Sequence, residues 1–374
     1  MHQPDENQIK IHKQTAAFAA EYIACRPDLQ TGQEFPMDIW RKMGEAGLFQ
    51  IGIAEIYGGA GGGYLDLLKG GEAFVKSGYN LGLAVSWLYQ QIIAHYVINV
   101  FGTPQQRRQY LPAAAEGKTI FSFAVSEPGH GSRPKLLTTK AQKHEKHFVL
   151  NGEKTYLTNG PIADVFIVIA CTDDIETKKR FTAFILPRNG EGVTVTPPLA
   201  INFLKPSPHG GIKLENCVIG QRFVLGKEGS AWPDIVVPFG EIEDVVMMGP
   251  ALGGMAAQLT MLMDTIREHQ TETNRALEGE LGALHALLQT LRIIAYEAAD
   301  QLDRGNGRPI PIMITFGRLA AEFHTGIGQM TDNWKSNTPA ECDYLQRDMG
   351  SLLTLKKRLL QIRQEKIGRA LLNV

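Results

Sequence analysis

The residues of this chain best suited to hold a ligand are concentrated between Phe121 and Gly160. The run Ser126-Glu-Pro-Gly-His-Gly-Ser132 follows a strand-like alternation and breaks at Pro128, Gly129 and Gly131. Such a break lets backbone N–H groups converge on one point, which suits a polar or anionic ligand. Ser126 and Ser132 add hydroxyl donors at the rim. Downstream, Leu150-Asn-Gly-Glu-Lys-Thr-Tyr-Leu-Thr-Asn-Gly160 contains Asn151-Gly152, the strongest short signal for a hairpin turn. Beyond that turn Tyr156 and Thr158 alternate onto one face of the returning strand. An aromatic ring beside a hydroxyl suits the face of a planar heterocycle. Taken singly, each run is better met by a strand–loop–strand element whose glycines serve only turns.

Length and composition set the frame for these residues. The chain has 374 residues, 44% of them hydrophobic, enough for two or three domains. A formal net charge of −1 gives no global field for nucleic acid or a membrane surface. Cys25, Cys171, Cys217 and Cys342 show no C-x-x-C spacing, which argues against a zinc site or disulfide framework and fits a reducing cytosol. The start of the chain is polar, so no signal peptide is expected. The absence of any uninterrupted run of about 18 apolar residues predicts no membrane span. A cytoplasmic protein is the resulting expectation.

The positioning elements fall into three blocks. Residues 1–120 read as an all-helical domain. It includes an amphipathic first helix through Phe18 and Ile23, a second from Phe35-Pro36 to Gly47, two more around Leu65–Lys76 and Leu81–Phe101, and one capped by Thr103-Pro104. The glycine-rich loop Gly58–Gly63 follows no strand and precedes no G-K-[ST], so it reads as a helix connection rather than a phosphate cradle. Residues 121–230 carry strand-like runs at Val165–Ala170, Phe181–Leu186, Val193–Val195 and Ile212–Leu214, a β domain of barrel or sandwich type. Residues 231–374 return to long helices at Glu241–His269, Leu277–Leu302, Ile312–Met330 and Leu352–Leu372, which predicts a four-helix bundle. The fold class is therefore α+β. Glu241, Glu243 and Asp244 read as first-turn acids that complement a helix dipole.

Together, the segments Ser126–Ser132 and Asn151–Gly160 resemble the middle domain of the acyl-CoA dehydrogenase family, where T/S-E-P-x-x-G-S and N-G-x-K-x-x-I/L-T-N-G embrace the flavin of FAD. Phe35-Pro36, Gly44–Leu48, Tyr57–Gly61, Gly102-Thr103 with Tyr110-Leu-Pro112, and Leu225–Gly229 match further family segments in order. The resemblance implies FAD as cofactor. It implies flavin contacts from Phe123, Val125, Ser126, Gly131 and Ser132 in the first segment and from Tyr156 and Thr158 in the second. Gln329, in the place of the family's Q-x-x-G-G-x-G segment, is implied for the adenosine half. The implied reaction is α,β-dehydrogenation of a thioester: a glutamate takes the α-proton, the β-hydrogen leaves as hydride to the flavin, and hydrogen-bond donors polarise the carbonyl.

The family's usual base position, counted from Arg347-Asp348 or back from Arg369, falls on Lys356 or Lys357 within what reads as a solvated basic helix turn. A minority of the family places its glutamate on the long helix after the β domain, at a fixed spacing from a small-residue segment. Here that segment is Ala251-Leu-Gly253 and the implied base is Glu243. The family's R-x-x-F-G place holds His269–Thr273, and the glycines after Gln329 are replaced through Asn333 and Lys335. Arg133, Lys135 and Lys140 could meet the phosphates of coenzyme A or the acidic surface of a carrier protein. The implied substrate is a short, branched or aminoacyl thioester on coenzyme A or a carrier protein, as in secondary metabolism. The implied acceptor is an electron-transferring flavoprotein or oxygen, and the implied assembly a homodimer or homotetramer through the C-terminal bundle. Two other readings keep the same residues: an inactive binding or scaffold subunit, and a flavin-dependent oxygenase.

Overall fold

Local signals start and stop several elements where the sequence predicts. Thr103 Oγ1 accepts from Gln106 N at 3.2 Å while Gln106 Oε1 accepts from Thr103 N at 2.8 Å, a reciprocal cap ahead of Pro104. The computed structural model describes residues 6–32, 34–175, 178–269, 274–334 and 336–372. The expectations attached to residues 270–273 and to Lys335 lie outside the described residues.

Helices α1 (Glu6–Tyr22), α2 (Met37–Glu45), α3 (Tyr64–Gly78) and α4 (Leu81–Ile92) come first. A π turn at Ile93–Ile98 carries α4 into α5 (Asn99–Phe101), and α6 (Pro104–Ala115) follows. The strands are β1 (Phe121–Ala124), β2 (Lys140–Lys143), β3 (His147–Thr158), β4 (Val165–Ile175), β5 (Lys178–Pro187), β6 (Val193–Val195), β7 (His209–Gly220) and β8 (Val224–Leu225). A π turn at Trp232–Val236 opens α7 (Val237–Val246), and α8 (Met248–His269), α9 (Arg275–Asp303), α10 (Ile310–Asn333) and α11 (Ala340–Leu371) complete the chain. Two helical stretches, Leu81–Phe101 and Trp232–His269, are long and apolar enough to cross a membrane, but 83% of each apolar window is buried inside the protein. They behave as core helices.

One compact unit comprises Met1–Thr31, Gly63–Ala84 and Asp244–Val374. In it α1 packs on α3, α3 packs on α8 and α9, and α8 to α11 pack as a four-helix bundle. Gly253 permits the close α3–α8 crossing, since a Cβ there would meet Glu72 O at 2.4 Å. Glu72 is buried and accepts from Arg292 Nε and Tyr296 Oη, both at 2.7 Å, tying α3 to α9. Helix α11 starts twelve residues before the predicted Leu352, right after Pro339, because Cys342, Leu345 and Met349 extend its buried face.

The other unit comprises Gly32–Gly62 and Val85–Glu243. Its eight strands form one mixed sheet in the order β6-β7-β3-β2-β4-β5-β8, with β1 parallel to β4. Phe148, Phe166, Phe184 and Ile212, from β3, β4, β5 and β7, meet in a single apolar core. The strands thus share one apolar core in a single β domain, as the strand runs predict. In the Gly58–Gly63 loop the N–H groups of Ala60, Gly61 and Gly62 are bound by the carbonyls of Gln50, Ile53 and Ile51, so the loop is a structural connection.

One prediction is corrected. Asn151-Gly152 does not turn a hairpin, because β3 runs straight through it. The turn lies between β2 and β3, closed by His144 N to His147 O at 2.8 Å. Asn151 Oδ1 instead accepts from Asn216 N at 2.8 Å on β7. Gly152, at φ +147°, sits at a register shift where a Cβ would lie 2.6 Å from Thr139 Oγ1. The pair serves a β-bulge and a close backbone approach.

Candidate active site

The loop after β1 is anchored by a buried ion pair. Glu127 is 2% exposed, and its carboxylate accepts from Thr138 N at 2.6 Å, Thr138 Oγ1 at 2.8 Å and Thr139 N at 2.9 Å. Lys154, fully buried on β3, donates to Glu127 Oε1 at 3.0 Å and to Val125 O at 2.9 Å. Burial works to raise the Glu127 carboxyl, but the Lys154 charge and the threonine donors outweigh it and hold it down at about 2. Burial pulls the Lys154 ammonium down to about 8 against the attraction of Glu127. Thr155 N adds a bond to Ser126 O at 2.9 Å. The two ligand-suited segments are therefore fastened to each other by residues between the predicted contacts. Sequence reading assigned Glu127 and Lys154 no role. Their signal was their fixed place inside both motifs.

The anion cradle expected at Pro128–Gly131 is corrected. His130 N and Gly131 N both bond to Glu127 O, at 3.1 and 3.0 Å, and Glu127 N bonds to Gly131 O at 3.1 Å. These donors close a tight turn instead of facing a ligand. Arg133 folds back as well, donating to His130 O at 2.9 Å and Gly129 O at 3.2 Å, so its guanidinium braces the loop. Gly131 and Ser132 remain exposed, and a Cβ on Gly131 would meet nothing within 4 Å.

Tyr156 and Thr158 do not alternate onto one face. A register shift between Lys154 and Leu157 flips the strand, and Tyr156 takes φ +57°. Tyr156 is 64% exposed, whereas Thr158 is 8% exposed. A bulky residue held in the left-handed region costs energy, so such a position points to a use for the displayed ring. Thr158 O accepts from Ser122 Oγ of β1 at 2.7 Å. Asn159, also left-handed at φ +62°, donates from Nδ2 to Ser86 O at 2.9 Å. Phe123, Val125, Ser126, Gly131, Ser132, Tyr156 and Thr158 thus all lie on β1, its loop and β3. Gln329 lies on the exposed side of α10, in the other unit.

The acids of the long helix are not in its first turn, since the helical stretch begins at Trp232. Glu243 acts electrostatically on Tyr89, whose phenol is pushed well up, first by burial and then by the Glu243 charge. Tyr89 meets Phe239 edge-on at 5.4 Å, and Phe239 meets Phe123 of β1 at 4.4 Å. An aromatic cluster thereby joins the Glu243 neighbourhood to the predicted flavin strand. Tyr89 and Phe239 were missed by sequence reading, for their apolar context reads simply as core.

Asp244 is occupied. Arg363 donates to Asp244 Oδ2 at 2.7 Å and Lys356 donates to Oδ1. Burial raises the Asp244 carboxyl, but these two cations more than offset it and leave it lowered. The expected solvated basic turn is corrected at this point: Lys356 is a half-buried ion-pair partner, whereas Lys357 and Arg358 are exposed. A lysine spent on a carboxylate does not accept a proton.

A neutral set of hydroxyls, an outward aromatic ring and an open glycine loop fit a flat heterocycle with many polar edges, as the isoalloxazine of FAD presents. Residues 5–118 match the acyl-CoA dehydrogenase N-terminal domain and residues 122–217 the middle domain. The mitochondrial isovaleryl-CoA dehydrogenase of Arabidopsis thaliana is 29% identical over 82% of this chain and 76% of its own. The L-prolyl-(peptidyl-carrier protein) dehydrogenase of Pseudomonas fluorescens is 27% identical over 84% of both chains. The butyryl-CoA dehydrogenase structure from Megasphaera elsdenii superimposes with a TM-score of 0.88, covering 100% of each chain at 21% identity, and shows the shared fold of helical, β and helical domains. The chain belongs to the acyl-CoA dehydrogenase family, whose members are FAD-dependent oxidoreductases acting on CH–CH bonds.

Proposed function

We propose that this protein dehydrogenates the Cα–Cβ bond of an acyl or aminoacyl thioester carried on coenzyme A or on a carrier protein, with Glu243 as the base. The observation that carries this reading is the place of Glu243 on α7, beside the aromatic cluster that leads to Phe123. Apolar rings give a carboxylate the low-dielectric neighbours that a proton-abstracting group needs. FAD supplies the two-electron acceptor when bound. Ser126, Ser132, Tyr156 and Thr158 hold and orient it, and the Glu127–Lys154 pair keeps their two segments together. Similarity to both an acyl-CoA and a prolyl-carrier enzyme supports a thioester on either carrier.

Electrons then pass to an electron-transferring flavoprotein or to oxygen. The assembly is a homodimer or homotetramer through the C-terminal bundle. Leu355, Leu359 and Ile362, exposed at i, i+4 and i+7 on α11, support that reading. Four free cysteines support a reducing, cytoplasmic setting. The test is anaerobic bleaching of the flavin by acyl and aminoacyl thioesters. Glu243→Gln is expected to keep the FAD spectrum and slow bleaching by about 10²–10⁴-fold. Bleaching at the wild-type rate would remove Glu243 from the mechanism. A wild-type protein that takes up no FAD would favour the scaffold reading.

A further inference from the structure

The helix that carries Glu243 is entered through an irregular turn, and the sequence explains why. In a regular α-helix the Asp234 carbonyl accepts from the N–H four residues on. That residue is Pro238, which has no N–H and whose ring clashes with the carbonyl at i−4. The chain takes the π turn Trp232–Val236 ahead of α7 instead. The Asp234 carbonyl is served from outside the helix, for Tyr96 Oη donates to it at 2.6 Å. Tyr96 lies in the π turn Ile93–Ile98, so two irregular turns of one compact unit are latched to each other. Burial first, and then the Asp234 charge, push the Tyr96 phenol upward, so it keeps the proton it donates. Its ring also meets Phe101 edge-on at 5.3 Å, which helps to hold it in place.

We infer that Tyr96 is a positioning residue for Glu243: its hydroxyl serves the carbonyl that Pro238 cannot, and so holds the register that places Phe239 in the aromatic cluster and Glu243 on the same face. The inference rests on the proposed role of Glu243 as base. Phe239 and Glu243 are four residues apart on α7 and therefore share a face. The direction of that face is fixed by Phe239, whose ring lies 5.4 Å from Tyr89 and 4.4 Å from Phe123. A π turn closes over one residue more than an α turn, and one residue is about 100° of helix. Relaxing the turn swings Phe239 off Tyr89 and carries Glu243 with it. Tyr89 stands on α4, which runs directly into the π turn bearing Tyr96, so one continuous stretch holds both the latch and the ring it serves. Tyr96 exchanges no proton and acts only through the phase of α7.

The test applies two readouts to purified Tyr96→Phe protein. The first is the limiting rate of anaerobic bleaching per bound flavin, with butyryl-CoA and isovaleryl-CoA as probes. Tyr96→Phe is expected to lower that rate about tenfold, the worth of one hydrogen bond, and to leave the half-saturating thioester concentration unchanged. In a Glu243→Gln background it is expected to have no further effect, because it acts through that carboxylate. A rate unchanged by Tyr96→Phe while Glu243→Gln is slow overturns the inference, as does equal slowing in both backgrounds. The second readout is amide hydrogen exchange, which needs neither thioester nor flavin. Exchange about tenfold faster is expected within Trp232–Val246 and nowhere else. Unchanged exchange there, or faster exchange throughout the chain, overturns the inference. Bleaching of Glu243→Gln at the wild-type rate removes the proposed base and not the latch. In that case, and where neither probe bleaches the wild type, the exchange readout alone decides whether Tyr96 holds α7 in register.

Discussion

Replacing Lys154 by methionine removes a buried ammonium while keeping most of its stem. Glu127 keeps its three threonine donors but loses its counter-charge, and Val125 O loses a donor. Breaking a buried pair by deleting one partner costs about 3–5 kcal/mol. In the folded protein the Lys154 charge and the threonine donors lower the Glu127 carboxyl from 4.5 to about 2. The sign follows from that lowering. The contribution is fully present above about 4.5 and is lost as pH falls through about 2. Urea unfolding of wild type and Lys154→Met at pH 7 and at pH 3 measures both. The expected result is a loss of about 3 kcal/mol at pH 7 and a smaller gap at pH 3. The variant should also bind FAD more weakly, since Ser126 and Tyr156 are no longer held in register. A variant within about 0.5 kcal/mol of wild type at pH 7 would refute the reasoning, because that is the range of ordinary surface substitutions.

Other perturbations read different parts of the molecule. Tyr156→Gly relieves a left-handed backbone at an exposed position, so stability should rise by about 1 kcal/mol in thermal or urea unfolding while FAD affinity falls. Both moving down together would remove the case for stored strain. Gly152→Ala drives a Cβ into Thr139 and should destabilise by about 1–3 kcal/mol without touching a ligand contact. Lys356→Met leaves Asp244 only Arg363 and should cost about 2 kcal/mol at pH 7, with the cost shrinking as pH falls below 3.8, where the unfolded chain protonates first, and on through the lowered range where folded Asp244 takes up its proton. An unchanged unfolding curve would return Lys356 to the solvated surface.

Much of the architecture was legible because it rests on local periods. The apolar spacing in α2 and α3, the Thr103-Pro104 start of α6 and the β-rich runs that became β4 and β5 needed no partner to be read. The late start assigned to α11 has a physical cause: Cys342 to Met349 is a polar-looking stretch whose few apolar residues show their helical spacing only when the bundle covers them. Asn151-Gly152 was misassigned for a related reason. An Asn-Gly pair serves a turn or a bulge equally well, and the register between β3 and β7 chose the bulge.

The sequence by itself determined the order of helical, β and helical blocks and the Ser126–Ser132 and Asn151–Gly160 segments, since these are properties of neighbouring residues, and the family resemblance those segments carry singled out Glu243 as the acid to examine. Tertiary structure alone decided what holds and tunes them. Lys154 reaches Glu127 across 27 residues, His209 reaches Thr158 across 51, and Lys356 reaches Asp244 across 112. Such pairings depend on strand register and helix packing, and no residue type announces them along the chain. The low-dielectric interior gives each its weight, because a buried charge or hydroxyl must find its partner there or forfeit the solvation it left behind.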